Sequence, residues 1–269
     1  MAVHPLAVVD PQAEIHPEAN VGPFCVLKGK VVLAAGVDLR GHVTVYGNGR
    51  TTIGAGTIIF PGAVIGSDPQ DLKFRGEDSE TIIGARCRIH ECSTVSKGTA
   101  GGGLKTIIGD DCLMMAYAHV AHDCILEHQI VMANGAQLAG HVRVGRRCVV
   151  GALVGVHHFV TIGELTMAGS MSGVRMDLPP YVIADGNPAR PHTINEIGLR
   201  RDGWDEAQIQ RVETAFRALF RNRTGTAWFD DVRVYRQSQP SENLLANGDF
   251  ETLGKRLDMQ YCRDNALTD

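Results

Sequence analysis

Leu138-Ala139-Gly140-His141-Val142-Arg143-Val144-Gly145-Arg146-Arg147-Cys148-Val149-Val150-Gly151-Ala152-Leu153-Val154-Gly155-Val156 carries an aliphatic side chain at every sixth position, at Leu138, Val144, Val150 and Val156. Upstream the rhythm runs through Met132, Leu126, Val120 and Met114 to Ile108, and downstream through Ile162 and Ala168 to Val174. An earlier frame holds Val3, Val9, Ile15, Val21, Leu27, Leu33, Leu39 and Val45, then slips by two residues to Ile53, Ile59 and Ile65. It returns at Ile83, Ile89 and Val95. A helix asks for apolar spacings of three and four, and an amphipathic strand for two. A period of six fits short parallel strands joined by turns, with one aliphatic per side pointing inward. This is the hexapeptide signature of a mainly β fold, a parallel β-helix whose coils share one core. Three hexads per coil make one turn of about 18 residues.

Two inserts break the rhythm, 67–81 and 96–107. The first is polar and carries Asp71 and Lys73, and the second is rich in glycine and threonine. Inserts in a solenoid become loops on one face, often the binding face. The repeat is expected to stop at Asp177-Leu178-Pro179-Pro180-Tyr181, because proline cannot continue a β ladder. Beyond Pro191 the period turns helical. Asp205 and Gln208 stand in capping-box positions, Trp204 can staple onto Ile209, and Ile209, Val212, Phe216, Leu219 and Phe220 form an apolar stripe. From Thr226 the helical patterning weakens, with Asn247-Gly248 a break. The expected domains are therefore a β-helix over 1–190 and a small α-helical domain over 191–269.

Composition narrows the function. Of 269 residues, 44% are hydrophobic and 21% charged, an ordinary soluble balance, and 31 glycines suit tight repetitive turns. The net charge of −4 argues against a nucleic-acid partner. No apolar run is long enough for a transmembrane segment, and Met1-Ala2-Val3-His4-Pro5 lacks the basic flank and apolar core of a secretion signal. Seven cysteines without a C-x-x-C pair read as reduced and cytoplasmic.

Projected at 18 residues per coil, His122 leads to Gly140 and then to His158. His141 and His157 flank that column, and His119 lies one hexad earlier. A single turn histidine is most often merely solvated, and a cluster also suits a metal. The neighbouring Asp123 favours a general base: a carboxylate holding one ring nitrogen leaves the other free to accept a proton near neutral pH. Gly140 in the same column leaves a backbone N–H unobstructed, as a carbonyl-polarising donor requires.

The run Leu113-Met114-Met115-Ala116-Tyr117-Ala118-His119-Val120-Ala121-His122-Asp123-Cys124 resembles the UDP-N-acetylglucosamine O-acyltransferase family. So do Leu138-Ala139-Gly140-His141-Val142, Val156-His157-His158-Phe159, Gln70-Asp71-Leu72-Lys73-Phe74, Gly98-Thr99 with Gly101-Gly102-Gly103, and the segment from Pro179-Pro180-Tyr181 to Gly186-Asn187-Pro188. The resemblance spans roughly residues 3 to 223 and implies a left-handed β-helix, opposite to the usual crossover rule. It implies transfer of a 3-hydroxyacyl chain from acyl carrier protein to the 3-position of UDP-N-acetylglucosamine in lipid A biosynthesis. His122 would be the base, Asp123 its orienter and the Gly140 N–H the carbonyl polariser. Asp71, Lys73, His119, His141 and His157 would contact substrate, and Asn195 and Arg201 the nucleotide. Ser170 and Met171 would border the acyl-chain groove. The resemblance further implies a homotrimer with active sites between subunits, and neither a metal nor a bound cofactor.

This chain departs from the family at His158, which stands where the family has glutamine, and at Ser96-Lys97, which replaces a His-Arg pair. Ile197 and Asp202 also differ from some relatives. Arg143, Arg146 and Arg147, with Arg211, Arg217, Arg221 and Arg223, offer a patch for an acidic carrier protein. The alternatives are a hexapeptide-repeat acyl- or acetyltransferase on another sugar nucleotide, a zinc β-helix hydratase of the carbonic anhydrase type, and a repeat scaffold without activity. The acyl chain length, and a 3-hydroxyl against a 3-amino acceptor, stay open.

Overall fold

A computed structural model describes residues 2–221 and two short strands, Tyr235–Arg236 and Gln239–Asn243. It divides into two units, Met1–Arg190 and Pro191–Asp269. The first is built from parallel strands, most of them two residues long, because each hexad has room for only one outward and one inward residue. Leu113–Met114 pairs with Val131–Met132, that with Val149–Val150, and that with Met167–Ala168. The faces led by His119–Val120 and Ile125–Leu126 repeat the pattern. The second residue of each strand enters the core: Met114, Val120, Leu126, Met132, Leu138, Val144 and Val150 are all at most 1% exposed. The hydrophobic effect acting on this single column per face, worth roughly 1.5–3 kcal/mol per buried aliphatic side chain, holds the coils together.

The two-residue slip in the early frame has a structural counterpart. Val26–Leu33 and Thr44–Ile53 are long strands that run past a corner without breaking. Their registers, Leu27 with Val45 and Leu33 with Ile53, give these coils extra length.

Glycine plays a different part from the one its abundance suggests. In the later coils the corners turn at Asp111, Tyr117, Asp123, Gln129, Gly135, His141, Arg147, Leu153, Phe159, Leu165 and Met171, each with φ between 53° and 68°. Only Gly135 among them is a glycine. The left-handed conformation costs about 1–2 kcal/mol for other residues. A hydrogen bond to the coil below offsets a cost of that order. Tyr117 N–H donates to the Glu91 carbonyl at 3.0 Å, and Met171 N–H to that of Ala152 at 2.7 Å. The glycines that follow the inward aliphatics answer a different need, because a Cβ on Gly145 would lie 2.5 Å from the Glu164 nitrogen of the next coil.

The ladder does not end at Pro179-Pro180. Val182–Gly186 pairs with the Met167–Ala168 strand, with Ala168 opposite Ala184. The prolines occupy the corner, where no ladder N–H is needed, and Leu178 still points inward at 3% exposure.

In the second unit, Asn195 caps α1 (Glu196–Arg201) and Asp205 caps α2 (Glu206–Phe216) with the full capping box to Gln208. Trp204 Nε1–H donates to Asp202 at 3.0 Å. Ile209, Val212 and Phe216 are buried, whereas Phe220 lies in a π-helical turn, Arg217–Arg221, and is 39% exposed. Where weak helical patterning was expected, Tyr235–Arg236 and Gln239–Asn243 pair as antiparallel strands. Arg223 and Asn247-Gly248 lie outside the described residues. Among the described residues no helix is long and apolar enough to cross a membrane.

Candidate active site

The strands His119–Val120, Gln137–Leu138, Gly155–Val156 and Gly173–Val174 stack in register, so His119, Gln137, Gly155 and Gly173 point outward in one column. The chain then turns through Ala121-His122, Ala139-Gly140, His157-His158 and Arg175. With Gln70 and Ser96 from the two inserts, and Asn187, these residues line a pocket of about 510 Å³.

His122 stands at the corner end of this pocket with its side chain 12% exposed. Its Nδ1 lies 2.8 Å from Asp123 Oδ2. Asp123 accepts from the Thr99 N–H at 2.8 Å through Oδ1 and from the Thr99 hydroxyl at 2.6 Å through Oδ2. Its own N–H donates to Thr106 Oγ1. The Asp123 side chain is fully buried. An ionised carboxylate only accepts hydrogen bonds, so it fixes the proton on His122 Nδ1 and leaves Nε2 as a lone-pair acceptor. The glycine-rich insert closes over this pair: a Cβ on Gly102 would fall 2.0 Å from the Asp123 carboxyl carbon.

On the other side of the imidazole lies Gly140, where a Cβ would sit 2.5 Å from His122 Cε1 and 2.6 Å from Nε2. Among the described residues nothing accepts a hydrogen bond from the Gly140 N–H. The ring of His141 meets that of His122 edge-on at 5.0 Å and stacks on Phe159 at 4.3 Å. His119 Nδ1 is 2.7 Å from Thr94 Oγ1. Burial, and then the nearby His122, hold the His119 pKa below the ordinary histidine value. Burial also lowers that of His141, against the opposing pull of Asp123. Cys124 faces the core, and burial pushes its thiol up to about 12, so it is no nucleophile at neutral pH.

His122, Asp123 and His141 offer atoms within 4.8 Å of one another, a spacing a metal ion could use. Both Asp123 oxygens already accept hydrogen bonds, however, and one of these holds the imidazole. The arrangement is an imidazole oriented through Nδ1 by a buried carboxylate.

Of the site residues read from sequence, the structure gathers His119, His122, Gly140 and His157 around the pocket, with Asp123 and His141 beside it. Asp71 accepts from the Lys73 N–H at 3.0 Å within its own loop, and neither residue lines the pocket. Met171 is 75% exposed at a different corner, the one holding Leu153, and Ser170 precedes it there. Asn195 spends its side-chain oxygen on capping α1, by accepting from the Gly198 N–H at 3.0 Å, and Arg201 sits exposed in the last turn of that helix.

Sequence reasoning missed Thr94, Thr99, Gln137, Gly155, Arg175 and Asn187, and it left His158 without a role although His158 lines the pocket. The coil count would have found Gln137 and Gly155 from His119, and Arg175 from His157. No periodicity signals Thr99, which reaches Asp123 across an insert.

The description of the family model matching residues 177–245 is UDP N-acetylglucosamine O-acyltransferase, domain 2. The acyl-[acyl-carrier-protein]–UDP-N-acetylglucosamine O-acyltransferase of Rhizobium etli is 43% identical over 248 residues, 92% of this chain and 90% of its own length. The protein of that name from Rhizobium johnstonii is 42% identical over 218 residues, 81% of this chain and 79% of its own. Among solved structures, the UDP-N-acetylglucosamine O-acyltransferase of Moraxella catarrhalis superposes with a TM-score of 0.81 at 37% identity, covering 86% of this chain and 88% of that one. The fold is the left-handed parallel β-helix of these enzymes. With identity of this depth running through both units, the chain belongs to the acyl-[acyl-carrier-protein]–UDP-N-acetylglucosamine O-acyltransferase family.

Proposed function

We propose that this protein transfers a 3-hydroxyacyl chain from acyl carrier protein to the 3-hydroxyl of UDP-N-acetylglucosamine, the acyl-transfer step named for its relatives and placed in lipid A biosynthesis. The observation that carries the reading is the pair formed by His122, oriented through Nδ1 by a buried Asp123, and the unpartnered Gly140 N–H beside it. In the forward step His122 Nε2 takes the proton of the sugar hydroxyl as its oxygen attacks the thioester carbonyl. Negative charge gathers on the carbonyl oxygen, where the Gly140 N–H donates to it. The tetrahedral intermediate then collapses, the C–S bond breaks, and the imidazolium returns its proton to the thiolate. Asp123 stabilises the transient imidazolium without itself taking the proton.

The other contacts belong to the same reading. His119, His141 and His157 line or flank the sugar and acyl groups. Asp71 and Lys73 act on substrate from the loop of a neighbouring chain in a trimer, and Ser170 and Met171 border an acyl groove shared with such a neighbour. Asn195 and Arg201 face the nucleotide, and the enzyme works in the cytoplasm. The exposed apolar side chains of Leu153 and Met171 at one corner, 64% and 75% exposed, support an active site built from two chains.

The test is mass spectrometry of products formed from UDP-N-acetylglucosamine and a panel of 3-hydroxyacyl carrier proteins, with His122→Ala alongside. Loss of a general base costs about 10²–10⁴-fold. A His122→Ala enzyme with near-full activity rejects the mechanism.

A further inference from the structure

Among the described residues lining the pocket, Arg175 is the one side chain that carries a permanent charge, and no carboxylate stands with it. No hydrogen bond or ion pair occupies its guanidinium among the described residues. Most arginines near a carboxylate pair with it, as Arg40 does with Asp38 and Arg86 with Asp111. A free guanidinium at a pocket wall presents five donors in a planar fork suited to a phosphate.

Its place in the coils adds a second observation. Arg175 follows the Gly173–Val174 strand, one coil past His157 and three past Ala121, the neighbour of His122. Strands stack about 4.8 Å apart, so the two ends are separated by about 14 Å along the fibre of coils. The outward column between them shrinks from His119 and Gln137 to Gly155 and Gly173. A Cβ on Gly155 would touch nothing within 4 Å, whereas one on Gly173 would meet the Asn187 side-chain oxygen at 2.5 Å. The result is a lane that begins at His122, is bare at Gly155, and passes the Asn187 amide before it ends at an unpaired cation.

We propose that Arg175 is the anion-recognition residue of this pocket and holds a phosphate ester of a bound substrate. The inference rests on the acyltransferase reading, which supplies two such groups: the diphosphate of the nucleotide sugar, and the phosphodiester of the carrier protein's pantetheine arm. Their shared chemistry is a phosphate oxyanion bridged by paired N–H donors. The residue positions substrate and takes no part in the proton transfer.

Isothermal titration calorimetry on the full chain tests this with two probes, UDP and 4′-phosphopantetheine, against the unchanged protein, Arg175→Gln and Arg175→Lys. One of the two probes is expected to lose about tenfold in affinity in Arg175→Gln, the weight of a charge-assisted hydrogen bond. Arg175→Lys should recover part of it, since a point charge remains without the fork. The probe that weakens identifies the substrate held. Equal affinity of both probes for the unchanged and Gln proteins, or binding of neither, overturns the proposal. Acyl transfer measured in parallel separates the two readings: Arg175-dependent binding of a probe with no acylated product would sink the acyltransferase and keep the anion site.

Discussion

Gly140→Ala adds one methyl group to the molecule, and the structure says where it goes. The new Cβ would lie 2.5 Å from His122 Cε1, 2.6 Å from Nε2 and 3.2 Å from Nδ1. Carbon atoms pack best at about 3.5–4.0 Å, so the imidazole must retreat by about 1 Å. Gly140 does not have the left-handed φ of its neighbour His141, so alanine brings no backbone strain of that kind. Asp123 cannot adjust to the displaced ring, because two hydrogen bonds from Thr99 hold its carboxylate. The 2.8 Å geometry between His122 and Asp123 is therefore lost. A 1 Å misplacement of a reacting group costs on the order of 10²-fold, and complete loss of a base about 10²–10⁴-fold. The expected fall in kcat is about 10²–10³-fold, with a small change in Tm, since one methyl at a corner costs about 1–3 kcal/mol at most.

Steady-state acyl transfer and thermal unfolding should be measured on the same preparation. Gly155→Ala is the control for stability. It adds the same methyl to the next coil, where nothing lies within 4 Å, and should leave Tm near that of the unchanged chain. A folded Gly140→Ala protein with near wild-type kcat would refute the reasoning, because the ring could then move freely without chemical consequence.

Thr99→Val removes the 2.6 Å hydroxyl bond to Asp123 Oδ2 but keeps the backbone bond and the side-chain shape. Hydrogen bonds to charged groups are worth about 1.5–3 kcal/mol, so kcat should drop about tenfold or more and Thr99→Ser should restore it; equal turnover of the valine and serine variants would show that the hydroxyl does not matter. Stability should fall as pH drops below the ordinary histidine value of about 6.5, because unfolded His119 and His141 bind protons that their buried folded forms resist. The folded pKa values are depressed, so this stability is fully present above that pH and is lost beneath it. Tm measured at pH 7.5 and 5.5 should change less in His119→Gln than in the unchanged chain, and an identical change in both would remove His119 from the account.

The period of six was legible because one residue per hexad carries it, and every inward aliphatic repeats the same instruction. The His122–Gly140–His158 column was legible for the same reason, as 18-residue addition needs only an uninterrupted stretch of coils. Both failed where inserts interrupt the count. Lys97 is an example: a lysine reads as a solvated charge, yet it is 3% exposed, with its ammonium 3.1 Å from Asp68 and 4.9 Å from the Phe74 ring centre. It anchors one insert to the other. Loop-to-loop contacts of this kind have no periodic signal, and Asp71 and Lys73 were read from motif alone.

The repeat supplies spacing, but spacing alone would leave the carboxylate in water. Asp123 occupies the same left-handed corner position as Tyr117, Leu153, Phe159 and Met171, which are 65%, 64%, 70% and 75% exposed. Asp123 is 5% exposed. What differs is the glycine-rich insert, whose Gly102 lies flat on the carboxyl group and whose Thr99 supplies two donors to it. Burying a carboxylate is costly unless it is paired and hydrogen-bonded, and here three donors meet that need. With water excluded, the field of the carboxylate acts on the His122 proton at low local dielectric instead of being screened. The bare backbone at Gly102 is therefore what keeps Asp123 buried against His122: a side chain there would lift the insert and return Asp123 to the solvated state of its corner neighbours.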